Sequence, residues 1–522
     1  MNQPNDTINL LLTDLSRHRR RLGSQSPRAF AEIYMKSNCH APYSGMHKEI
    51  FTLLLQMTKR RKGRLAIAAP RGHAKSTIVS LVYVLWCVLY SKEKLVLIAS
   101  NTITQAMALL KGIKHQLENN ALIIDDFPEI CCARKPKPWR DSRIQLPNGT
   151  MIRVYGVGQN PRGIKNDKDR PGLIIADDIE NEEQAQSEEQ RDKLRSWFRK
   201  TLLNTGHPHT NVIVIGTILH QDSLLAALVN RDRSPGWNGR KYKAVEKFSD
   251  NPQLWEKWSS IFCSREEYEG NTGPEAAKLY FETNREKMLE GTEVLWPEWE
   301  SYYELMVMRE SEGTHSFQSE KQNEPIDPQQ CIFKEEDIVF WDDDYRDVQH
   351  LIQSINSRAY FYGACDPSLG KSTRGDYTAI VILLRDDNRD INYVIVADLL
   401  HCSPSQTIDR ITEYARMYEF NRFAIESNNF QELMADKLER CIVAHGRRLS
   451  IHKITSRSNK QSRIASLEPY IKQGNIRFCR KHGQLLSQLT QFPLAKNDDG
   501  PDALEMAIQA TKEKGGFWVF DI

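Results

Sequence analysis

The sequence predicts an α/β protein with two separate sheets, the first mainly parallel, joined by a smaller segment. Three observations predict it. Short apolar runs alternate with helical patterns between residues 64 and 217, as in a parallel sheet covered on both faces. A second set of strand-like runs begins near residue 358 and opens as a meander. The chain has 522 residues, against about 100–200 for one domain. The expected boundaries are 1–44 for a polar, partly helical opening, 45–250 for the first α/β domain, 251–340 for a linker subdomain and 341–522 for the second α/β domain.

Composition narrows the class. Hydrophobic residues make up 40% and charged residues 27%, which fits a folded chain and excludes a disordered one. A net charge of +3 neither requires nor excludes nucleic acid, because a basic surface can sit inside a balanced total. The ten cysteines form no C-x-x-C pair and no zinc-like spacing, so free thiols in a reducing cytoplasm are expected. The opening residues do not read as a secretory leader. The apolar run Ile78 to Tyr90 is far short of the about 20 residues a bilayer needs. Arg17-His18-Arg19-Arg20-Arg21 reads first as a solvated face, with a DNA or partner contact as the other reading.

In the first domain, Ala41 to His47 reads as a loop entering a helix at Glu49 to Met57. Leu65 to Ala68 is a buried strand, broken by Pro70 and Gly72. Lys75-Ser76-Thr77 and the helix Ile78 to Tyr90 follow. Strand, tight loop, Lys-Ser/Thr and helix is the layout of a phosphate-binding loop, spanning Pro70, Arg71, Gly72, His73, Ala74, Lys75, Ser76 and Thr77. Its backbone N–H groups and the helix N-terminus would face phosphates. Lys75 would neutralise the β/γ-phosphates of ATP, and Ser76 would hold Mg²⁺. The strict pattern wants glycine at 69 and 74; both are alanine here.

Leu95 to Ser100 is a further strand, followed by a helix from Thr104 to Asn119. Pro147-Asn148-Gly149 between two alternating segments predicts a hairpin. The run Gly172 to Glu180 reads as a buried strand that delivers acids at its end. Asp177 would hold Mg²⁺ through water; Asp178 would polarise the attacking water, with Glu180 as its competitor. Asn211 to Thr217 is another buried strand. Residues 230–340 read as irregular, acidic and tryptophan-rich, with a helix at Tyr302 to Glu310.

In the second domain, strands are expected at Ala359 to Asp366, Tyr377 to Arg385, Ile391 to Leu400 and Arg422 to Glu426. A helix at about 405–418 and a late helix from Ala503 complete the order. This is the element order of the ribonuclease-H-like fold. Asp366, Glu426 and Asp502 would converge as ligands for paired divalent ions, Mg²⁺ or Mn²⁺, with Asp376 as a further ligand and Asp499 as a weaker auxiliary. Taken singly, each acid also fits a helix cap or an exposed strand end.

Together these motifs resemble the large terminase subunit of tailed bacteriophages. Ala-Pro-Arg-Gly-His-Ala-Lys-Ser (69–76) resembles the family's phosphate loop, and Leu-Ile-Ile-Ala-Asp-Asp-Ile-Glu (173–180) its acid-bearing strand, where many relatives have Asp-Glu instead of Asp177-Asp178. Ile-Gly-Thr-Ile-Leu-His-Gln-Asp (215–222) resembles the coupling motif, which implies that Thr217 senses the γ-phosphate. Arg162-Gly163 lies where the family has an arginine proposed to act across subunits, with Arg71 as the competing candidate, and Leu-Trp-Pro-Glu (295–298) resembles its linker. Asp-Pro-Ser-Leu-Gly (366–370) with Asp376, Ile-Glu-Ser (425–427) and Asp-Gly-Pro-Asp-Ala-Leu (499–504) resemble its three nuclease motifs, in order.

The resemblance implies an ATPase that moves double-stranded DNA into a procapsid and an endonuclease that cuts concatemers. It implies a small terminase subunit, a portal protein and a homo-oligomeric ring, often a pentamer, as partners. It implies action in the host bacterial cytoplasm and transiently at the portal, with no membrane and no place in the mature virion. The rival reading is a nuclease-helicase of repair or phage defence, and a third is a DNA-bound scaffold whose ATP site has decayed.

Overall fold

The computed structural model describes residues 3–36, 41–131, 139–161, 169–263, 267–325, 331–355, 359–367, 377–426, 438, 451–454, 459–495 and 497–512. The chain divides into two compact units, one of residues 1–248 with 291–326, the other of residues 249–290 with 327–522.

In the first unit the strands are β1 (Arg64–Ala68), β2 (Leu95–Ser100), β3 (Trp139–Arg140), β4 (Arg143–Gln145), β5 (Met151–Gly156), β6 (Leu173–Asp177), β7 (Asn211–Gly216) and β8 (Asn238–Lys241). They form one sheet in the order β3-β4-β5-β2-β6-β7-β1-β8. From β5 to β8 every pairing is parallel; only β3-β4 and β4-β5 are antiparallel. Strands β1, β2 and β6 are apolar in sequence because helices cover both faces, and β2 and β6 are buried along their whole length. The antiparallel step is the Asn-Gly hairpin. Gly149 takes φ +84°, and Leu146 N–H donates to the Thr150 carbonyl at 2.8 Å, closing a three-residue loop.

Behind β1 the chain winds as a π-helix over Thr77–Tyr83 and as an α-helix over Val84–Leu89, where one helix was expected. Both segments are buried, Val82, Tyr83, Leu85 and Trp86 among their inward-facing residues. A helix at Gln3–Gly23 carries the basic cluster. Its arginines are not all solvated. Arg19 holds the fully buried Asp126 through two hydrogen bonds, 2.8 and 2.5 Å. Arg20 pairs with Glu129 at 2.7 Å and lies over the Phe127 ring. A short ribbon of β9 (Val245–Lys247) and β10 (Glu293–Val294) ties residues 291–326 to the unit.

The second unit is built on β11 (Val339–Phe340), β12 (Tyr360–Asp366), β13 (Thr378–Asp386), β14 (Ile391–Leu400), β15 (Phe420–Glu426), β16 (Ile451–Ile454) and β17 (Ile476–Phe478). Their order is β11-β17-β14-β13-β12-β15-β16. The expected meander is β12-β13-β14, antiparallel throughout. The helix Pro404–Met417 then returns the chain so that β15 runs parallel to β12. The helix Asp499–Lys512 packs across β12, β13 and β15 and buries Leu504, Met506, Ala507 and Ile508.

Residues 249–290 are not irregular as expected; they form two helices, Pro252–Cys263 and Gly273–Leu289. Trp255, Trp258 and Phe262 stand at helical spacing and pack ring to ring, with centroids 5.2 and 5.1 Å apart. The seven described cysteines are free thiols. No helix of the described residues is long and apolar enough to cross a membrane.

Candidate functional site

Two separate clusters of chemistry-bearing side chains lie at the C-terminal ends of strands, one in each unit. In the first, β7 lies between β1 and β6. The residue after β7, Thr217, therefore falls between the loop after β1 and the acids after β6. Buried Lys75 donates from Nζ to Thr217 Oγ1 at 3.2 Å. Asp177 is bracketed by two hydroxyls from one helix face: Ser76 Oγ donates to Oδ1 at 2.9 Å and Ser80 Oγ to Oδ2 at 2.6 Å. Burial, and then the neighbouring Asp178 charge, push the Asp177 carboxyl up to about 6, against the pull of the two hydroxyls and Lys75. A carboxylate held this way gains from a nearby cation.

The loop itself answers the glycine question. Gly72 has φ +83° and Ala74 has φ +53°. The left-handed backbone that glycine serves in the strict pattern is thus kept at 74, where the alanine Cβ costs roughly 1–2 kcal/mol. Ala69 needs no such freedom: its N–H continues the ladder to the Gly216 carbonyl at 3.1 Å. Pro70 is buried and its carbonyl accepts the His73 N–H at 3.3 Å; Thr77 opens the π-helical segment. Buried His73 is pushed down to about 4, chiefly by burial, and its carbonyl meets His47 Nε2 at 3.2 Å.

Asp178 and Glu180 separate clearly. Asp178 is exposed, has φ +46°, and lies over Gly216, where a Cβ would come within 3.0 Å of its Oδ1. Glu180 turns the other way. Its two oxygens accept the Leu224 and Leu225 N–H groups at 2.7 and 3.0 Å, at the start of the helix Leu224–Val229. Burial raises its pKa against those hydrogen bonds.

Sequence reading missed the third wall. Residues 320–323 hold the loop after β1 and the chain after β7: Arg71 N–H donates to the Glu320 carbonyl at 2.9 Å, and Arg71 Nε pairs with Glu320 Oε2 at 2.7 Å. Lys321 Nζ donates to the Arg71 carbonyl at 3.3 Å and pairs with Glu300 at 2.7 Å. Asn323 Oδ1 accepts the Ile218 N–H at 2.8 Å. These residues lie about 250 positions from the loop in a polar stretch without periodicity, so no local signal pointed to them. The expected trans-acting Arg162 lies outside the described residues, with Gly163.

In the second unit Asp366 ends β12 and Glu426 ends the adjacent parallel strand β15; their neighbours Cys365 and Ile425 are register partners. Asp502 lies in the first turn of Asp499–Lys512 and is 2% exposed. Asp376 lies outside the described residues, as does the side chain of Glu426. The described acids gather around one cation, the Lys460 ammonium. Its Nζ is 2.9 Å from Asp498, 3.3 Å from Asp502, 3.7 Å from Asp366 and 3.9 Å from Asp499. Burial works against the Lys460 charge, but the hydrogen bond to Asp498 and the Asp366 and Asp502 charges outweigh it and raise its pKa. Asp499 also accepts the Tyr377 N–H at 3.0 Å. Among the described residues no group of three or more His, Cys, Asp or Glu is placed to hold a metal ion. The donors are nonetheless all hard carboxylate oxygens around a point that already favours positive charge, which is the chemistry of a Mg²⁺ or Mn²⁺ site.

Residues 363–511, from within β12 to near the end of the last helix, match the family model described as the terminase RNaseH-like domain. This domain belongs to the terminase family. The resemblance read from the motifs is borne out over the terminase nuclease domain, and so is the fold class, a mainly parallel α/β unit joined to a ribonuclease-H-like one. The chain is similar to solved terminase structures at low identity. It matches the large terminase of bacteriophage HK97 at 13% identity over 90% of this chain and 95% of that one, with a TM-score of 0.32. It matches the large terminase of the thermophilic bacteriophage D6E in complex with ATP-γ-S at 10% identity over 89% and 98%, with a TM-score of 0.28. It matches the human cytomegalovirus terminase nuclease domain at 13% identity over 31% and 88%, with a TM-score of 0.26. No curated protein matches it in sequence.

Proposed function

We propose that this chain is a viral DNA-packaging motor subunit, which hydrolyses ATP to move double-stranded DNA through a portal and cuts concatemeric DNA. The observation that supports this best is the joining, in one chain, of a terminase nuclease domain to a unit in which Lys75, Thr217, Ser76 and Asp177 are linked by hydrogen bonds. In this reading Lys75 neutralises the β/γ-phosphates, and the loop from Pro70 to Thr77 offers its N–H groups to them. Ser76 and Asp177 hold Mg²⁺, whose charge would offset developing negative charge on the phosphates. Thr217 touches both the Lys75 ammonium and the Ala69 carbonyl, so it links nucleotide state to β7.

Asp178 is the carboxylate that orients the attacking water, and Glu180 is a helix cap. Glu180 has both oxygens committed to backbone N–H groups, whereas Asp178 is exposed at the strand end. Asp178→Asn is expected to lower ATP turnover by at least roughly 10²-fold, the scale of positioned acid–base catalysis. Glu180→Gln is expected to cost about 1–3 kcal/mol of stability through weaker capping of buried donors, with turnover within a few-fold of wild type. Equal ATPase losses in two well-folded variants would contradict the assignment.

In the nuclease domain Asp366, Glu426 and Asp502, with Asp376, would hold divalent ions, Mg²⁺ or Mn²⁺, and the chemistry such ions would supply is activation of water and stabilisation of the leaving oxygen. Asp498 and Asp499 enlarge the negative field, and Lys460 balances it. A small terminase subunit, the portal protein and a ring of copies are the partners this function requires, at the procapsid in the host cytoplasm. Arg162 acting across a subunit boundary is part of the same reading.

A further inference from the structure

We propose that Arg463 and Glu505 are a positioning pair that aims the Asp502 carboxylate at its cation, an inference that rests on the nuclease reading above. Asp502 and Glu505 are one turn apart on the helix Asp499–Lys512, so they share a face. Arg463 comes from the helix Lys460–Ala465 and stands between them. All three side chains are nearly dry, with 2% exposure for Asp502, 6% for Glu505 and 8% for Arg463. Arg463 gives one terminal nitrogen to each carboxylate: Nη1 donates to Glu505 Oε2 at 3.2 Å, and Nη2 lies 2.9 Å from Asp502 Oδ1 and 3.3 Å from Oδ2.

A buried glutamate that only paired with an arginine would add little stability, because an apolar residue of like volume serves as well. Its placement has another consequence. Glu505 occupies one prong of the guanidinium fork. Arg463 therefore cannot close on Asp502 with both terminal nitrogens, and its Nε makes no hydrogen bond, so the two-pronged geometry an arginine takes with a single carboxylate is not formed. Nη2 alone holds Asp502: it donates to Oδ2, the oxygen that also faces Lys460 Nζ at 3.3 Å, where Asp366, Asp498 and Asp499 converge. With Glu505 neutral, the freed prong turns to Asp502 and draws Oδ2 out of the cluster. With lysine in place of Arg463, one point charge cannot serve both acids.

The test is Mn²⁺ titration of the full chain by calorimetry, following the binding step that Asp502→Asn removes. Glu505→Gln and Arg463→Lys are each expected to weaken that step about tenfold or more, the usual scale for residues behind a metal ligand. Without metal the second unit should melt somewhat earlier, because a buried pair is weakened, but should still fold. Cleavage by Glu505→Gln should need correspondingly more Mn²⁺ and recover most of its rate at saturation. Wild-type Mn²⁺ affinity in both variants would overturn the proposal, and so would a second unit that no longer folds without metal, which would make the pair a folding element. Wild-type Mn²⁺ binding in Asp502→Asn would instead remove the metal-site reading on which the proposal rests.

Discussion

Asp366→Ala, Glu426→Ala and Asp502→Ala are each expected to abolish DNA cleavage while ATP turnover stays near wild type. Asp366 and Glu426 end adjacent parallel strands, and Asp502 is buried in the helix packed across them. Carboxylates crowded in this way repel one another unless a cation is present. Here Lys460 supplies one positive charge and the acids around it supply several negative ones. Metal ions in such a site contribute several kcal/mol to phosphodiester cleavage, so losing a ligand should cost on the order of 10³-fold or more. Cutting should require Mg²⁺ or Mn²⁺, be slower in Ca²⁺ and stop with chelator. A plasmid-cleavage assay checks this. Variants that still cut at the wild-type rate would make these acids structural.

Lys75→Ala is expected to remove ATP turnover, again by about 10³-fold or more, and with it packaging, while cleavage of free DNA persists. Lys75 is 6% exposed, so little water screens its charge, which would act at nearly full strength on a transferring phosphoryl group. Alanine also leaves the Thr217 hydroxyl without its Lys75 donor, which would uncouple β7 from the nucleotide. The nuclease cluster lies in the other compact unit and should not respond. Steady-state ATPase with and without DNA measures the effect, and a wild-type rate in the variant would sink the phosphate-loop assignment.

Much of this was legible because the chemistry follows strands. The apolar runs of β1, β2, β6 and β7 are continuous because parallel strands are buried on both faces, and the motifs sit where those runs stop. The Asn148-Gly149 hairpin was legible because a left-handed turn residue has few substitutes. Ala74 shows the limit of that logic, since tertiary structure holds an alanine at φ +53° where the pattern asks for glycine. Glu180 shows another: it lies two residues from Asp178 in sequence, and only the position of the helix Leu224–Val229 reveals that both its oxygens are committed to backbone N–H groups. Glu320, Lys321, Lys460 and Arg463 lie in polar stretches whose partners are remote in sequence, so nothing local marked them. The two helices of residues 252–289 were missed although Trp255, Trp258 and Phe262 already stood at helical spacing.

The central claim is that ATP hydrolysis drives motion along intact duplex DNA. It is tested most directly by assembling the wild-type chain on a blunt duplex that carries a labelled third strand bound in its major groove. ATP is expected to expel the third strand while the two Watson–Crick strands stay paired, and Lys75→Ala is expected to expel nothing. Separation of the paired strands, or ATP turnover with no expulsion, would contradict it.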